Sequence, residues 1–305
     1  MKSVLVVMSA YNGEKYIQEQ IDSILAQENV QVKLIIRDDG SVDNTLDIIK
    51  KNSANHNNVE YIAGENIGYK RSFYNTLTDS PDTYDYYAFS DQDDVWDKSK
   101  LIRAVEMLEN ESNDIKMYAS ALRVVDQNLN FTEINNYDKL KISYGSAMSR
   151  QRIAGCTMVF NKKLLLLCKL FNMTEETQKY FSHDGAVYMI CLACGGKVVF
   201  DKESFINYRR HSETVTSRGK GIFNRISSVT DIFSKYKGIR EARVKELKRI
   251  YYDMMNDDVA DLSKKIINYR NSLGKTFSLA YDNRIHCGLV SVDIINHFAV
   301  LFHCY

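Results

Sequence analysis

The chain has 305 residues and a mass of 35.2 kDa, enough for one large domain or a catalytic domain with an appendage. Hydrophobic residues make up 45% and charged residues 26%, an ordinary globular balance, and a formal net charge of +1 gives no global pull toward nucleic acid. Six cysteines, irregularly spaced among apolar residues, imply no disulfide framework and read as reduced core thiols.

The opening MKSVLVVMSAYNG carries one lysine and too short an apolar run for a signal peptide, so it reads as a core strand of a cytoplasmic protein. Strands are expected at Ser3–Ser9, Val32–Arg37, Val59–Ile62 and Tyr86–Phe89, with helices at Glu14–Gln27, Asn44–Lys51 and Gly68–Leu77 between them. In the first helix Ile17, Ile21, Ile24 and Leu25 fall on one face. This alternation predicts an α/β fold, a Rossmann-like, mostly parallel sheet flanked by helices. Ligands of such sheets bind at the carboxyl ends of the strands, where SAYNG, RDDGS, GENIG and SDQDD all fall.

From Leu101 to Tyr208 the pattern is mixed: strands at Met117–Asp126, Cys156–Phe160 and Lys197–Asp201, helices at Lys162–Phe171 and Asp184–Cys194. Residues 1–216 are read as one α/β domain, 1–100 its nucleotide-binding half and 101–216 a second half able to supply an acceptor side, and 217–305 as a helical C-terminal region. A basic, glycine-containing loop at Ser217–Gly221 marks the join, and from Asp201 to Arg249 there are 13 Lys/Arg against 6 Asp/Glu. That excess is either a solvated helix face or an attraction to anionic headgroups. The C-terminal GLVSVDIINHFAVLFHCY is broken by Asp293, Asn296 and His297, short of the ~18 apolar residues of a membrane span. Its apolar residues can pack on the domain, seal a homodimer, or lie peripherally on the inner face of a membrane.

Several motifs carry chemistry, each beside a plainer reading. In SAYNGEKY, Ala10 allows close approach, Tyr11 can cover a flat base and Asn12 can cap the next helix. In RDDGSVDNT, Asp39 can accept from a pyrimidine N–H, or the motif is a turn with cap chemistry. SDQDDVW projects Asp91 and Asp93 from a strand end as a D-x-D pair suited to a hard divalent cation; otherwise it is an acidic turn. Asp94 is read as the N-cap of the following helix. Two such carboxylates about 5 Å apart repel by roughly 3 kcal/mol at an effective dielectric near 20. Asp184 in SHDGAVYM is either an N-cap or a general base facing a cleft. In NYRRHSE, Arg209 and Arg210 can serve a diphosphate and His211 a metal, while Lys70 and Arg71 in GENIGYKRSF can reach phosphate. Cys191 and Cys194 have CxxC spacing in an apolar helix with no second metal pair, and are read as core.

Together SAYNGEKY, RDDGSVDNT, SDQDDVW and SHDG followed by YRRH resemble the inverting family-2 glycosyltransferases of GT-A fold, over Lys2 to Thr216. The wording of SDQDDVW is most similar to bacterial rhamnosyltransferases and other surface-polysaccharide transferases. The resemblance implies a dTDP- or UDP-sugar donor, a manganese or magnesium ion, and a glycan or lipid-linked acceptor. It implies Asp39 at the base, Asp91 at the ribose side, Asp93 at the metal, Asp184 at the acceptor proton and His211 at metal or diphosphate. Gly185 and Ala186 follow the His-Asp pair where many relatives have aromatics, implying a different acceptor wall. Trp96 is the only tryptophan, so the Q-x-x-R-W motif of processive synthases is missing and one sugar per encounter is expected. The competing classes are a sugar nucleotidyltransferase, which would carry a glycine-rich basic loop after the first strand, and an inactive nucleotide-binding module.

Overall fold

A computed structural model describes residues 1–135, 137, 139–211 and 237–305. The chain forms two compact units, the first from residues 1–136, 153–187 and 196–211. The second takes 137–152, 188–195 and, of the chain after 211, the described residues 237–305. The Thr216 boundary and the Ser217–Gly221 loop read from the sequence lie outside the described residues.

The first unit begins with β1 (Ser3–Ala10), buried at every position after Ser3, as a central strand covered on both faces must be. Then come α1 (Ile17–Leu25), β2 (Gln31–Asp38), α2 (Thr45–Asn55), β3 (Val59–Ala63), α3 (Tyr69–Asp79) and β4 (Tyr86–Ser90). Ile17, Ile21 and Ile24 are fully buried, which is why α1 covers the sheet with that face. β1 pairs in parallel with β2 and β4, setting Ala10 beside Asp38 and Met8 beside Ser90. The loops after these three strands therefore leave from one edge.

The short β5 (Val95–Trp96) and α4 (Lys100–Glu109) follow; α4 buries Leu101, Ala104, Val105 and Leu108 at helical spacing. The expected strand Met117–Asp126 is divided into β6 (Lys116–Ser120) and β7 (Arg123–Val125). At the break the Ala121 N–H donates to Asp201 O and the Arg123 N–H to Ser204 Oγ, and the chain changes sheets. After β8 (Phe131–Ile134) come β9 (Val159–Asn161), α6 (Lys162–Cys168), α7 (His183–Ala193), β10 (Lys197–Asp201) and β11 (Ile206–Arg209). The seven-stranded sheet has the order β10-β6-β9-β4-β1-β2-β3, parallel except for β9, which runs against β4 and β6. A four-stranded sheet, β5-β11-β7-β8, stands apart.

The second unit contains α5 (Tyr144–Ser149), α8 (Ile239–Tyr251), α9 (Asp257–Asn268), α10 (Leu273–Ala280) and α11 (Val290–Leu301). A buried arginine binds it together: Arg240 donates to Met148 O and Ser149 O at 3.2 Å and to Asn296 Oδ1 at 2.9 Å, with the Tyr305 ring 4.5 Å away. All six cysteines are buried and free, as core thiols should be. Among the described residues no helix is long and apolar enough to cross a membrane.

Arg284 donates to Asp258, Asp261 and Asp282, and Lys265 also reaches Asp282, pinning the turn before α11 to α9. The Arg284 guanidinium holds the Asp282 carboxyl well below the usual carboxylate range. A carboxyl depressed in the fold contributes stability above its unfolded pKa of about 4 and loses it as pH falls further. Asp282→Asn is expected to be less stable than the wild type at pH 7, the two converging as pH drops below about 4. Urea unfolding across that range checks this, and parallel curves would refute it.

Candidate active site

The motif residues of the first unit gather where β1, β2 and β4 end. Ala10 closes β1, fully buried. Tyr11 is half-exposed, its backbone clasped by Gln92: the Tyr11 N–H donates to Oε1 at 2.9 Å and the Tyr11 carbonyl accepts from Nε2 at 3.0 Å. Asn12, at φ +49°, does not cap α1. Its N–H donates to Ser41 Oγ at 3.0 Å and its Oδ1 accepts from the Val42 N–H at 2.9 Å, tying the first two loops together.

Asp39 is buried, and both its oxygens are engaged. Oδ1 accepts from the Arg37 guanidinium and the Ile67 N–H (3.0 Å), Oδ2 from the Gly68 N–H (3.0 Å). Arg37 also donates to Glu65 O at 3.0 Å, so the loop before α3 closes over the end of β2. At Asp38 the Ser41 N–H reaches Oδ2, while the buried Oδ1 has no hydrogen-bond partner among the described residues.

Carboxylates crowd the end of β4. Burial, then the neighbouring charges of Asp93 and Asp184, push the Asp91 carboxyl up to about 7. Asp94 is fully buried, and burial with the Asp91 and Asp93 charges drives its carboxyl well up. It caps no helix, because α4 starts six residues on at Lys100 with Ser99 before it. Instead Asp94 Oδ1 accepts from the Arg209 N–H at 3.1 Å, and among the described residues Oδ2 has no N–H or O–H partner; the Cys156 thiol lies against the Asp91 and Asp94 carboxyls. Asp91, Asp94 and Cys156 each present a ligand atom within 4.8 Å of the others. Burial and the two carboxylates push the Cys156 thiol well up, so it stays protonated and leaves oxygen donors to face a cation. Clustered hard oxygens, one without an N–H or O–H partner among the described residues, suit a hard divalent ion.

Asp184 lies in the first turn of α7. Its Oδ2 accepts from the Gly155 N–H at 3.1 Å and its Oδ1 from the Gly185 N–H at 2.7 Å. The preceding His183 is buried, stacked on Phe73 at 4.2 Å and edge-on to Phe89 at 4.9 Å; burial lowers its pKa and keeps it neutral. Gly155 is obligatory here: a Cβ would lie 2.9 Å from both Asp184 Cβ and His183 Nε2. Tyr69 stands with these carboxylates, since burial, Asp184 and Asp91 raise its hydroxyl pKa.

The cations divide. His211 Nε2 meets Asp93 Oδ2 at 2.8 Å. Arg209 is buried and all three guanidinium nitrogens donate within the protein: to Asp93 O at 2.8 Å, Gln127 O at 2.7 Å and Glu19. Arg210 pairs with Glu133 at 2.7 Å. Lys70 donates to Gln178 O at 2.8 Å and Arg71 pairs with Glu175 at 3.4 Å, so these two are drawn to the segment before α7. Tyr69, Gln92 and Gly155 were not singled out from the sequence. Tyr69 adjoins Lys70 and Gln92 sits inside D-x-D, but only their contacts give them meaning.

A GT-A sheet with an acidic strand-end site defines a glycosyltransferase. The profile described as Glycosyl transferase family 2 matches residues 5–166, and the chain belongs to that family. A dTDP-rhamnosyl transferase of Shigella flexneri, RfbG, is 29% identical over 283 residues, 88% of this chain and 89% of that protein. An uncharacterized glycosyltransferase of Nostoc is 27% identical over 214 residues, 68% of this chain and 65% of that protein. The crystal structure of S. aureus TarS 1–349 in complex with UDP-GlcNAc superposes with a TM-score of 0.63 at 15% identity, covering 99% of this chain and 88% of that one.

Gly155→Ala must displace Asp184 or His183, and overpacking of this kind costs about 1–3 kcal/mol. A urea midpoint lowered to match is expected; an unchanged midpoint would show that the turn yields freely.

Proposed function

We propose that the chain is a metal-dependent, inverting transferase that moves one sugar from a nucleotide-sugar to a hydroxyl of a glycan or lipid-linked acceptor in bacterial surface polysaccharide synthesis. The observation that carries this is the pairing of a crowded carboxylate cluster at the end of β4 with Asp184, which is held by two backbone N–H groups. The Shigella relative's name supports a dTDP-sugar, rhamnose first, and the TarS complex supports UDP-GlcNAc as the alternative to test.

Each residue then has a task. Asp39, fixed by three donors, has about one of a carboxylate's four acceptor sites left for a base N–H. Tyr11 covers the base and Ala10 lets it approach, while Asp91 faces the ribose side. Asp93 and His211 would hold a manganese or magnesium ion, which when bound supplies Lewis-acid neutralisation of the diphosphate. Arg209 fixes the Asp93 carbonyl and the Asp94 carboxylate, a positioning role rather than a direct diphosphate contact. Arg210, Lys70 and Arg71 remain candidates for the diphosphate only if substrate displaces Glu133, the Gln178 carbonyl and Glu175.

Asp184 takes the proton from the acceptor hydroxyl. That oxygen bonds to the anomeric carbon as the bond to the diphosphate oxygen breaks, and the diphosphate leaves with the electron pair. Attack opposite the leaving group inverts the centre. Backbone donors on both Asp184 oxygens keep the carboxylate aimed without consuming all its acceptor sites.

With dTDP-rhamnose, UDP-GlcNAc and other nucleotide sugars plus manganese, sugar transfer or slow donor hydrolysis is expected, and pyrophosphorolysis instead would overturn the reading. In Asp184→Asn transfer should fall about 10²–10⁴-fold, the worth of a positioned proton transfer, with calorimetric donor binding retained. Undiminished turnover would remove Asp184 from the reaction.

Asp39→Ala is expected to weaken nucleoside diphosphate binding about tenfold, one hydrogen bond to a charged group. If Asp38→Ala does so and Asp39→Ala does not, the base sits on the unpartnered Asp38 oxygen.

A further inference from the structure

Helices α10 and α11 present their apolar residues outward. α11 buries Asn296, which accepts from Arg240, together with Ala299 and Val300, and exposes Val290, Ile294 and Phe298. α10 exposes Leu273 and Phe277, and the ridge continues into Tyr281. Exposures of 75% at Leu273, 70% at Tyr281 and 67% at Val290 are far beyond those of a covered helix face. The rings form one layer across both helices: Phe277 stacks on Tyr281 at 6.4 Å, Tyr281 meets His297 at 5.0 Å, and His297 meets Phe298 at 5.9 Å. Of the C-terminal apolar residues Leu289, Val292, Ile295 and Phe302, expected to pack on the domain, seal a dimer or lie on a membrane, the first three are only partly exposed, while Phe302 is exposed and stacks on Phe298 at 6.4 Å.

We propose that this two-helix face lies on an anionic phospholipid surface. An interfacial helix needs one apolar face with basic residues beside it, and α10 with α11 sets Leu273, Phe277, Tyr281, Val290, Ile294 and Phe298 outward beside Lys264 and Lys275. Crossing the bilayer is excluded for the described helices by their length and polarity. The charges around the face complement anionic headgroups. Exposed Lys275 lies between Leu273 and Phe277, and with Lys264 and Lys265 it lines a cleft that Asn268 and Ser278 complete. The two carboxylates between Leu273 and Phe298 are engaged, Asp282 by Arg284 and Lys265, Asp293 by the Cys287 N–H at 2.7 Å. The aromatic layer supplies amphipathic rings suited to headgroup depth. None of this depends on which sugar is moved or on the role of Asp184.

The test is co-flotation of the full chain with phosphatidylcholine vesicles, with and without phosphatidylglycerol. Wild type is expected to float with the phosphatidylglycerol vesicles. In Phe277→Ser/Ile294→Ser/Phe298→Ser the partition coefficient should drop by about tenfold or more, with the thermal midpoint and donor hydrolysis unchanged. Single Phe298→Ser should lie between the two, which keeps the test decisive if the triple variant folds poorly. Lys264→Gln/Lys275→Gln should lose the phosphatidylglycerol dependence. Equal flotation of wild type and Phe298→Ser, no flotation at all, or a light-scattering dimer that the apolar substitutions dissolve would each overturn the proposal.

Discussion

Like-charge repulsion at the end of β4 is the constraint that organises the catalytic unit. Each carboxylate pair at about 5 Å costs roughly 3 kcal/mol at an effective dielectric near 20, comparable to a sizeable share of a domain's net stability. The fold answers the charges individually. Asp93 is met by His211, Asp94 by the Arg209 N–H and the Cys156 thiol, and Asp91 is raised toward neutrality by burial and its neighbours. Among the described residues no arginine side chain sits inside the cluster. Arg209 grips the Asp93 carbonyl and Glu19 instead, so the carboxylates are held near one another without being quenched. Lys100 illustrates the same restraint: it is buried behind the cluster with its ammonium 3.5 Å over the Trp96 ring, and burial depresses it to about 7. A residue that titrates there cannot serve as a permanent counter-charge. Carboxylates met by single hydrogen bonds and not by a fixed cation fit a metal ion that arrives with its substrate.

The parts of the fold set by local periodicity were legible in the sequence. The strands and helices from β1 to β4 fall within a few residues of where apolar runs and the Ile17/Ile21/Ile24 stripe place them, because both faces of β1 and one face of α1 are buried. Long-range exchange hid the rest. Met117–Asp126 reads as one strand since nothing in its composition reveals that Ala121 bonds to Asp201 while Arg123 turns to Ser204 and Asn207. The apolar positions of α4 are at clear helical spacing, yet the acidic turn before it suggested a cap at Asp94, which tertiary contact with Arg209 claims instead. β5 and β11 are two and four residues long and are held by long-range pairing, β5 against β11 and β11 against β7.

For the site, residue types were readable and commitments were not. D-x-D and the His-Asp pair announce themselves by charge in a chain position where a parallel sheet binds ligands. An arginine in sequence offers no sign of whether its guanidinium will face a substrate or its own backbone. Arg209 and Arg210 are adjacent, yet one is buried with three internal acceptors and the other half-exposed against Glu133. Arg209 ends β11 and is drawn inward to Glu19 and two carbonyls, while Arg210 lies just past the strand against Glu133. Gly155 is similar: its role follows from the absence of a side chain beside Asp184, which only the packed structure exposes.

The two units use buried arginines for comparable tasks but differ in the surface each leaves, polar in the first and apolar in the second. Arg209 stabilises a polar edge by binding carbonyl oxygens, so charge there remains available for chemistry. Arg240 does the same for the helical unit, taking Met148 O, Ser149 O and Asn296 into its interior. Filling that interior with an arginine and an amide moves polar groups inward, and the helix that supplies Asn296 then has apolar residues left for its outer ridge. Such an inversion has a cost in water, since each exposed ring forgoes the burial that stabilises core residues by about 1.5–3 kcal/mol. A surface kept apolar at that cost, while its two nearby carboxylates are tied up and its lysines are left exposed, makes physical sense against a bilayer. It makes little against bulk water.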